Sequence, residues 1–338
     1  MDCKVCGSND VLKLFYTRDY FSGEIFTVYR CPGCGIAFTW PQPTVLDPYY
    51  PSAYRSYGTL VRHLLRALYR LRVRKWVRRL GRKGLALEIG FGAGWMLEVL
   101  RDHGWLVVGT ERTPEAASFA AHALGLPVYV GGLEALRPEP RFDLVLLFHV
   151  LEHLPDPLNA LRNVSHLLKP GGNLIAAVPN MASWQARLAG PHWQHLDVPR
   201  HLFHFTPESL SHLLTLVGLK VTKVRFISWE HDPGGWLQSA LNRLGFQQNI
   251  LNQWLMGINR GELRRLSGFG ICGVSPFLFI PCILLSVLSW WARTGALAEV
   301  WAGKEAEPCG GNAGNHSRTP ADEGNVEKGP SNHLSRLR

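Results

Sequence analysis

The sequence has no apolar stretch at its start, because the charged residues Asp2 and Lys4 interrupt the first positions. We therefore expect no secretory signal peptide, and we expect cysteine thiols of a cytoplasmic protein rather than disulfides. Acidic residues are also scarce, with 26 Asp and Glu against 36 Lys and Arg and a formal net charge of +10. The length of 338 residues has room for one large domain and a small one.

The excess of positive charge lies in one segment. Residues 62–83 contain ten Lys or Arg and no acidic residue, so this segment alone equals the excess of positive charge. Its apolar residues recur at close to helical spacing, which predicts a basic amphipathic helix within a linker at residues 46–83. The helix could cover a sheet with its basic face in solvent, or it could contact anionic lipid or a phosphate-bearing partner. Among Phe, Tyr and Trp it has only Tyr69 and Trp76, too few for a nucleic-acid stacking surface, so we favour lipid.

Residues 85–97 carry the most informative pattern. An apolar run that predicts a strand includes Glu88, and a helical pattern begins soon after it. Between them lie three glycines at alternate positions, Gly90, Gly92 and Gly94. Glycine permits a sharp turn and close approach to a ligand, and a helix N-terminus behind it offers N–H groups. A dinucleotide fingerprint needs glycine at the sixth position, where this sequence has Trp95. The pattern Glu-x-Gly-x-Gly-x-Gly instead resembles motif I of class I S-adenosylmethionine (SAM)-dependent methyltransferases.

The sequence that follows supports the resemblance in the family's order. Strand-like segments occur at residues 105–110, 127–130, 142–148 and 174–178. The resemblance, which covers about residues 84–228 and a final strand at 295–304, implies a doubly wound, mostly parallel seven-stranded α/β sheet (Rossmann-like). It implies SAM as cofactor, held by Glu88, the three glycines, Glu111 at the ribose diol, Leu133 at the adenine and His149 after the fourth strand. The alternative is a similar sheet that binds another adenine nucleotide or nothing.

Four cysteines form two matched pairs near the N-terminus. They are Cys3 and Cys6, followed by Gly7, and Cys31 and Cys34, followed by Gly35. Between the pairs, residues 11–17 and 24–30 alternate like the strands of a hairpin. This spacing is typical of a zinc ribbon, here at residues 1–45, and metal binding is favoured over disulfides. Four thiolates fill a tetrahedral site, so the Zn²⁺ is expected to be structural.

A histidine-rich segment at residues 193–208 is the candidate acceptor site. It resembles a Trp…Asp-x-Pro-Arg-His-x-x-His-Phe-Thr-Pro signature of bacterial methyltransferases among sugar and cell-envelope modification enzymes. We therefore expect methyl transfer to a hydroxyl of a small-molecule, glycan or lipid-linked acceptor, with His201 or His153 as the base. Arg200 would hold an acidic group of the substrate. Alternatively, some of these polar residues brace the loop against the sheet. The competing functions for the protein are an RNA methyltransferase and a non-catalytic SAM-binding scaffold at a membrane.

A metal site in the same segment is a weaker hypothesis. Its ligands would be His192, His195, Asp197 and His201. Their irregular spacing and the cationic Arg200 disfavour it.

Residues 269–292 contain no charged residue, and this segment is long enough for one membrane span. The family's last two strands, expected at 219–228 and 296–302, pair with each other, so a single crossing would separate them across the bilayer. We therefore expect residues 229–294 to be a hydrophobic insertion with an in-plane helix or re-entrant hairpin at the inner face of the cell membrane. Trp290 and Trp291 would lie at the headgroup level. The alternative is a buried cap or a dimer interface. Residues 305–338 are polar and are expected to be disordered.

Overall fold

Eleven strands and nine α-helices are present in the part of the chain that the structure describes. Along the chain the strands are β1 (Leu12–Arg18), β2 (Ile25–Arg30), β3 (Ala37–Trp40), β4 (Leu85–Ile89), β5 (Leu106–Glu111), β6 (Val128–Val130), β7 (Phe142–Phe148), β8 (Leu168–Pro179), β9 (Phe203–His204), β10 (Leu219–Arg225) and β11 (Leu297–Lys304). The helices are α1 (Thr59–Leu80), α2 (Trp95–Asp102), α3 (Pro114–Leu124), α4 (Pro157–Leu167), α5 (Trp184–Ala189), α6 (Pro207–Leu216), α7 (Asp232–Arg243), α8 (Ile250–Leu255) and α9 (Ile271–Trp291).

This computed structural model describes residues 2–50, 58–136, 139, 141–255 and 271–306. The side chains of residues 135 and 271–278 are outside the description. Most of the tail expected to be disordered, residues 307–338, lies outside the described residues, as does the part of the predicted linker at residues 51–57.

The central sheet has seven strands in the order β10-β11-β8-β7-β4-β5-β6. The strands β8, β7, β4, β5 and β6 pair in parallel, and β11 pairs antiparallel with both of its neighbours. The apolar run of β7 is buried because helices cover both faces of the parallel sheet. This arrangement confirms the expected doubly wound, mostly parallel seven-stranded sheet, including the final antiparallel hairpin.

Helix α1 covers one face of the central sheet. Val73 and Trp76 are fully buried and belong to the apolar cluster on that face. Arg72 forms ion pairs with Glu299, at 2.7 Å, and with Glu230. The indole of Trp76 also donates a hydrogen bond to Glu299, at 3.2 Å. One of the ten basic residues therefore anchors the helix to the sheet, which favours the covering role over a wholly basic binding surface.

The second sheet has the order β1-β2-β3-β9, so the cysteine segment shares its sheet with the main domain. Ala37 pairs with His204 and Phe38 pairs with Phe203. The hairpin predicted between the cysteine pairs is confirmed as β1 and β2. The buried side chains of this segment join the apolar cluster of the central sheet, so residues 1–45 and the following domain form one compact unit.

The segment between β10 and β11 contains α7, α8 and α9. The α7 helix packs against α9 through Trp236, Leu237, Leu241 and Cys282. The Trp290 indole donates a hydrogen bond to Asp232 and its ring lies on Trp229. Trp290 is thus half-buried and held by contacts within the protein. No helix in the described residues combines the length and apolar character needed to cross a membrane.

Candidate functional site

The three alternating glycines form a turn at the carboxyl end of β4. Their φ angles are 65° at Gly90, 56° at Gly92 and 71° at Gly94. A Cβ on Gly90 would lie only 2.7 Å from a methyl group of Val150, whereas a Cβ on Gly92 would meet open space. Gly90 therefore permits close packing against the segment after β7, and Gly92 leaves room for a ligand.

Glu111 ends β5 beside this turn. Its carboxylate accepts hydrogen bonds from the backbone N–H groups of Gly92, at 2.9 Å, and Thr113, at 3.2 Å. A carboxylate at the end of the second strand of such a sheet suits the hydroxyls of a ribose. The geometry fits the role that the resemblance implies for Glu111.

Glu88 lies below the glycine turn and is almost fully buried. Burial raises the pKa of its carboxyl to about 8, and the negative charge of Glu111 adds to the rise, while a backbone hydrogen bond from Leu97 opposes it. Within the described residues, Glu88 Oε2 is buried without a hydrogen-bond partner. A ligand cation such as the ammonium group of SAM would satisfy it, so the turn, Glu88 and Glu111 together fit SAM.

Leu133 and His149 lie at the same carboxyl edge of the sheet. Leu133 begins a short turn after β6 and packs against the core, whereas His149 follows β7 with a φ of 57°. Such a conformation is uncommon for a residue with a side chain and is often found at functional sites. The His149 Nδ1 atom lies 3.4 Å from Glu152 Oε1, and its ring contacts the ring of His231 at a centroid distance of 4.6 Å.

Glu152, His153 and His201 form a compact cluster next to His149. One potential ligand atom from each residue lies within 4.8 Å of those of the other two. The His153 and His201 rings meet edge to face with centroids 4.7 Å apart, and His201 Nε2 lies 4.0 Å from Glu152 Oε1. Glu152 and His201 are buried, and His153 is half-buried. The structure therefore brings together the two histidines that the sequence proposed as bases, and it adds Glu152 to them.

The structure corrects the role expected for Arg200. Its side chain is fully buried, and it donates hydrogen bonds to Asp197 at 2.8 Å and to Asp19 at 2.7 Å. Further bonds go to the backbone carbonyls of Tyr49 and Val198. The guanidinium thus joins the cysteine segment to the histidine-rich loop. The hypothesis that it holds a substrate acid is wrong, because burial and these partners keep it from a ligand.

The other two histidines of the loop, His195 and His204, lie outside this cluster. Burial lowers the pKa of His195 and of His204 to about 4, with a small opposing effect from Asp197. The His204 Nε2 atom lies 3.0 Å from the hydroxyl of Thr39. The metal set of His192, His195, Asp197 and His201 does not assemble among the described residues, because His192 is exposed and only His201 belongs to the cluster with Glu152.

His231 is a site residue that the sequence did not indicate. It precedes α7 in the insertion, and it reaches His149 only because that insertion folds back over the carboxyl edge of the sheet. Two hydrogen bonds fix this position: the side chain of Gln185 donates to the carbonyl of Asp232, and Asn242 donates to the carbonyl of His192. No local motif marks His231, so only the tertiary structure identifies it.

The four cysteines of the N-terminal pairs converge on one point. The sulfur atoms are 3.6 Å apart for Cys3 and Cys34 and 3.5 Å apart for Cys6 and Cys31. Four ligands at the usual Zn–S distance would be separated by about 3.8 Å. The donor set and these distances fit a tetrahedral Zn²⁺ site with no position left for a substrate.

Comparison with known proteins agrees with this geometry. The family described as "Methyltransferase domain" matches residues 61–224. The ubiquinone biosynthesis O-methyltransferase of Alkalilimnicola ehrlichii is 36% identical over 101 residues, which are 28% of this chain and 41% of that protein. The enzyme of the same name from Cereibacter sphaeroides (strain ATCC 17023) is 32% identical over 166 residues, which are 46% of this chain and 67% of that protein.

Solved structures of methyltransferases are also similar. A SAM-dependent methyltransferase from Archaeoglobus fulgidus aligns with a TM-score of 0.45 and 18% identity, covering 71% of this chain and 94% of that structure. A putative sarcosine dimethylglycine methyltransferase from Galdieria sulphuraria aligns with a TM-score of 0.46 and 14% identity, covering 74% and 91%. On the family match and the Cereibacter relative, this chain belongs to the methyltransferase family, with the methyltransferase domain on the sheet that carries the glycine turn.

Proposed function

We propose that this chain is a SAM-dependent methyltransferase that transfers a methyl group to a hydroxyl of a small-molecule, glycan or lipid-linked acceptor. The observation that carries the proposal is the contact between the two halves of the site. The glycine turn packs on Val150, and three residues later His153 belongs to the cluster with Glu152 and His201. A methyl donor at the turn and an acceptor at the cluster would therefore be neighbours.

The residues of the cluster suit an oxygen acceptor. When bound, SAM supplies a sulfonium methyl group that an oxygen can attack in line. As the new C–O bond forms, the bond between the methyl group and sulfur would break and release S-adenosylhomocysteine, and the proton of the hydroxyl would pass to His201 Nε2. Glu152 and Asp197 would stabilise the resulting imidazolium, because their carboxylate oxygens lie 4.0 and 3.9 Å from that nitrogen. The O-methyltransferase name of the relatives supports the choice of oxygen.

We also propose a peripheral membrane contact through α9. Ile280, Leu284 and Trp291 are at least half exposed on this helix, which is unusual for large apolar side chains on one element. A lipid-linked acceptor would reach the site more easily from such a surface. Sedimentation with anionic vesicles tests this: Ile280→Glu with Leu284→Glu should reduce the bound fraction, and equal binding would contradict the contact.

RNA is a weaker candidate for the acceptor. The buried ion pairs of Arg72 remove one cation from the proposed RNA-binding face of α1, and Arg66 pairs with Glu98. Several exposed basic residues remain on α1, including Arg74 and Arg78. Steeply salt-dependent RNA binding that is lost on neutralising them would restore this alternative.

The test of the hydroxyl-transfer site is His201→Ala. This change should lower turnover by roughly 100-fold or more, as loss of a general base does, and should leave SAM affinity nearly unchanged. His192→Ala is the matched control, because His192 is an exposed histidine of the same loop outside the cluster. Turnover of His201→Ala equal to that of the control would contradict the proposed role.

A further inference from the structure

We propose that the outward side of α1 binds the surface of an anionic lipid bilayer. Binding by this helix stands on its own exposed residues, whereas its use in bringing a lipid-linked acceptor to the site rests on the proposed function. The side of α1 that faces away from the central sheet carries both kinds of group that such a surface requires. They are arranged in two parts along the helix.

The first part of the outward side is apolar. The side chains of Leu60, Leu64 and Leu71 are exposed by 84%, 60% and 54%. Their spacing of four and then seven residues places them on one face of the helix, opposite the buried Val73 and Trp76. These leucines do not help to cover the sheet, because they point away from it. They form a stripe that leaves water only when it meets another apolar surface.

The second part of the outward side is basic. Lys75 and Arg78 lie four and seven residues after Leu71, so they continue the same face, and both side chains are exposed. Residues 59–83 contain no acidic residue that could neutralise them within the helix. The face therefore changes from apolar to positively charged along its length. Long basic side chains can reach phosphate groups while the leucines enter hydrocarbon.

The combination of the two parts selects the partner. Nucleic acid offers phosphates to Lys75 and Arg78, but its backbone offers no apolar surface to the leucines. A second copy of the chain could cover the leucines, but two such faces placed together would bring their positive charges into contact. A bilayer with anionic headgroups matches both parts, because its hydrocarbon lies directly beneath the phosphates.

The position of α1 connects this face to α9 and to the acceptor site. Arg72 donates a hydrogen bond to the carbonyl of Ile227, at 3.3 Å. Two residues later Trp229, which is half exposed, contacts the ring of Trp290 in α9 with centroids 4.6 Å apart. The same segment leads to His231 at the acceptor site. A bilayer that contacts both helices would therefore lie beside the site, within reach of a lipid-linked acceptor.

The experiment measures binding of the zinc-loaded full-length protein to two sets of vesicles. One set contains equal parts of phosphatidylcholine and phosphatidylglycerol, and the other contains phosphatidylcholine alone. The wild type should bind the anionic set more tightly, by a margin that shrinks as NaCl screens the charges.

Two double variants separate the two parts of the face. Lys75→Gln with Arg78→Gln should weaken binding to the anionic vesicles roughly 25-fold, since each cation near such a surface contributes about fivefold. Leu60→Gln with Leu64→Gln should weaken binding by roughly 10-fold or more, because these side chains no longer gain from burial in hydrocarbon. The leucine variant should keep the salt dependence of the wild type, and the charge variant should lose most of it.

The matched controls lie on the other face of the central sheet, which α4 and α6 cover. Leu216→Gln changes a leucine of α6 that is 60% exposed, as Leu64 is, and Arg162→Gln changes an exposed arginine of α4. Both controls should bind vesicles as the wild type does. A wild type that does not bind the anionic vesicles, or α1 variants that bind as their controls do, would overturn the proposal. Sedimentation equilibrium and RNA titration of the same variants then show whether a second copy or nucleic acid occupies the face.

The α9 variant and SAM calorimetry separate this proposal from the others. If Ile280→Glu with Leu284→Glu loses vesicle binding and the α1 variants do not, the contact is through α9 and the inference for α1 is wrong. SAM binding without vesicle binding would refute the membrane contacts and leave methyl transfer intact. Vesicle binding without SAM binding would refute the methyltransferase function alone.

Discussion

The carboxylate of Glu111 accepts a hydrogen bond from the backbone N–H of Gly92, with 2.9 Å between Oε2 and the nitrogen. This bond ties the end of the second parallel strand to the glycine turn after the first. A ligand that binds at the turn must therefore meet a carboxylate already aligned toward it. The same two residues are thus the most direct probes of a cofactor site.

Arg200 is expected to be a determinant of stability. Arg200→Ala leaves Asp19 and Asp197 without their cation, and Asp19 is fully buried. Removal of one partner from a buried ion pair costs roughly 3–5 kcal/mol of the free energy of unfolding, which denaturant titration measures. Arg78→Ala, an exposed change on α1, should stay within about 0.5 kcal/mol of the wild type. If both variants are equally stable and only Arg200→Ala raises the KM for an acidic acceptor, Arg200 binds substrate after all.

The contribution of Asp232 to the stability of the protein should fall as pH rises from about 4 to about 8. Burial raises the pKa of the Asp232 carboxyl to about 8, so the folded chain keeps a proton that the unfolded chain loses near its ordinary value of 3.8. Between these two pKa values, ionisation stabilises only the unfolded chain. The contribution of Asp232 to the free energy of unfolding is therefore lost completely above the pKa of the folded state. Glu88, with its pKa also raised to about 8, acts in the same direction.

Asp232→Asn tests this pH dependence. The amide oxygen can still accept the hydrogen bond from Trp290 but does not ionise. The free energy of unfolding should change less between pH 5 and 8 in the variant than in the wild type, whereas the exposed change Asp10→Asn should leave the slope unchanged. An unchanged slope in Asp232→Asn would show that Asp232 is ionised in the folded protein.

Zinc is expected to be a structural component of the purified protein. Metal analysis should find about one zinc per chain, and Cys6→Ser should lose most of it because a tetrahedral thiolate site needs all four ligands. Cys282→Ser, which changes a buried cysteine in α9, is the control and should keep the metal. Since β3 pairs with β9 directly after His201, zinc loss should also reduce turnover. Full metal content in Cys6→Ser would contradict the site.

The elements that could be predicted from sequence depend on short-range patterns. The glycine turn, the strands of the central sheet and the convergence of Cys3 with Cys34 all follow from spacing within a few residues or from a repeated motif. Helix α1 was also predicted, although the sequence left open whether its basic face meets lipid, and the structure shows that Arg72 faces the sheet.

The arrangement of the acceptor site depends on long-range contacts that no local pattern encodes. Arg200 meets Asp19 across 181 residues of sequence, so its burial could not be foreseen from the loop alone. His231 reaches His149 from an insertion whose fold is set by packing rather than by a motif. The cluster of Glu152 with His201 likewise forms because the turn after β7 meets the loop before β9, where the Leu202 N–H donates to the Glu152 carbonyl.

Calorimetric titration of the zinc-loaded protein with SAM, alongside Gly92→Arg and Glu111→Ala, tests whether the glycine turn holds the cofactor. Gly245→Arg is the matched control, because Gly245 also has a positive φ of 86° and open space at its Cβ. We expect micromolar binding that Gly92→Arg abolishes, Glu111→Ala weakens and Gly245→Arg preserves. A folded, zinc-loaded protein that does not bind SAM would show that the glycine turn is not a SAM site.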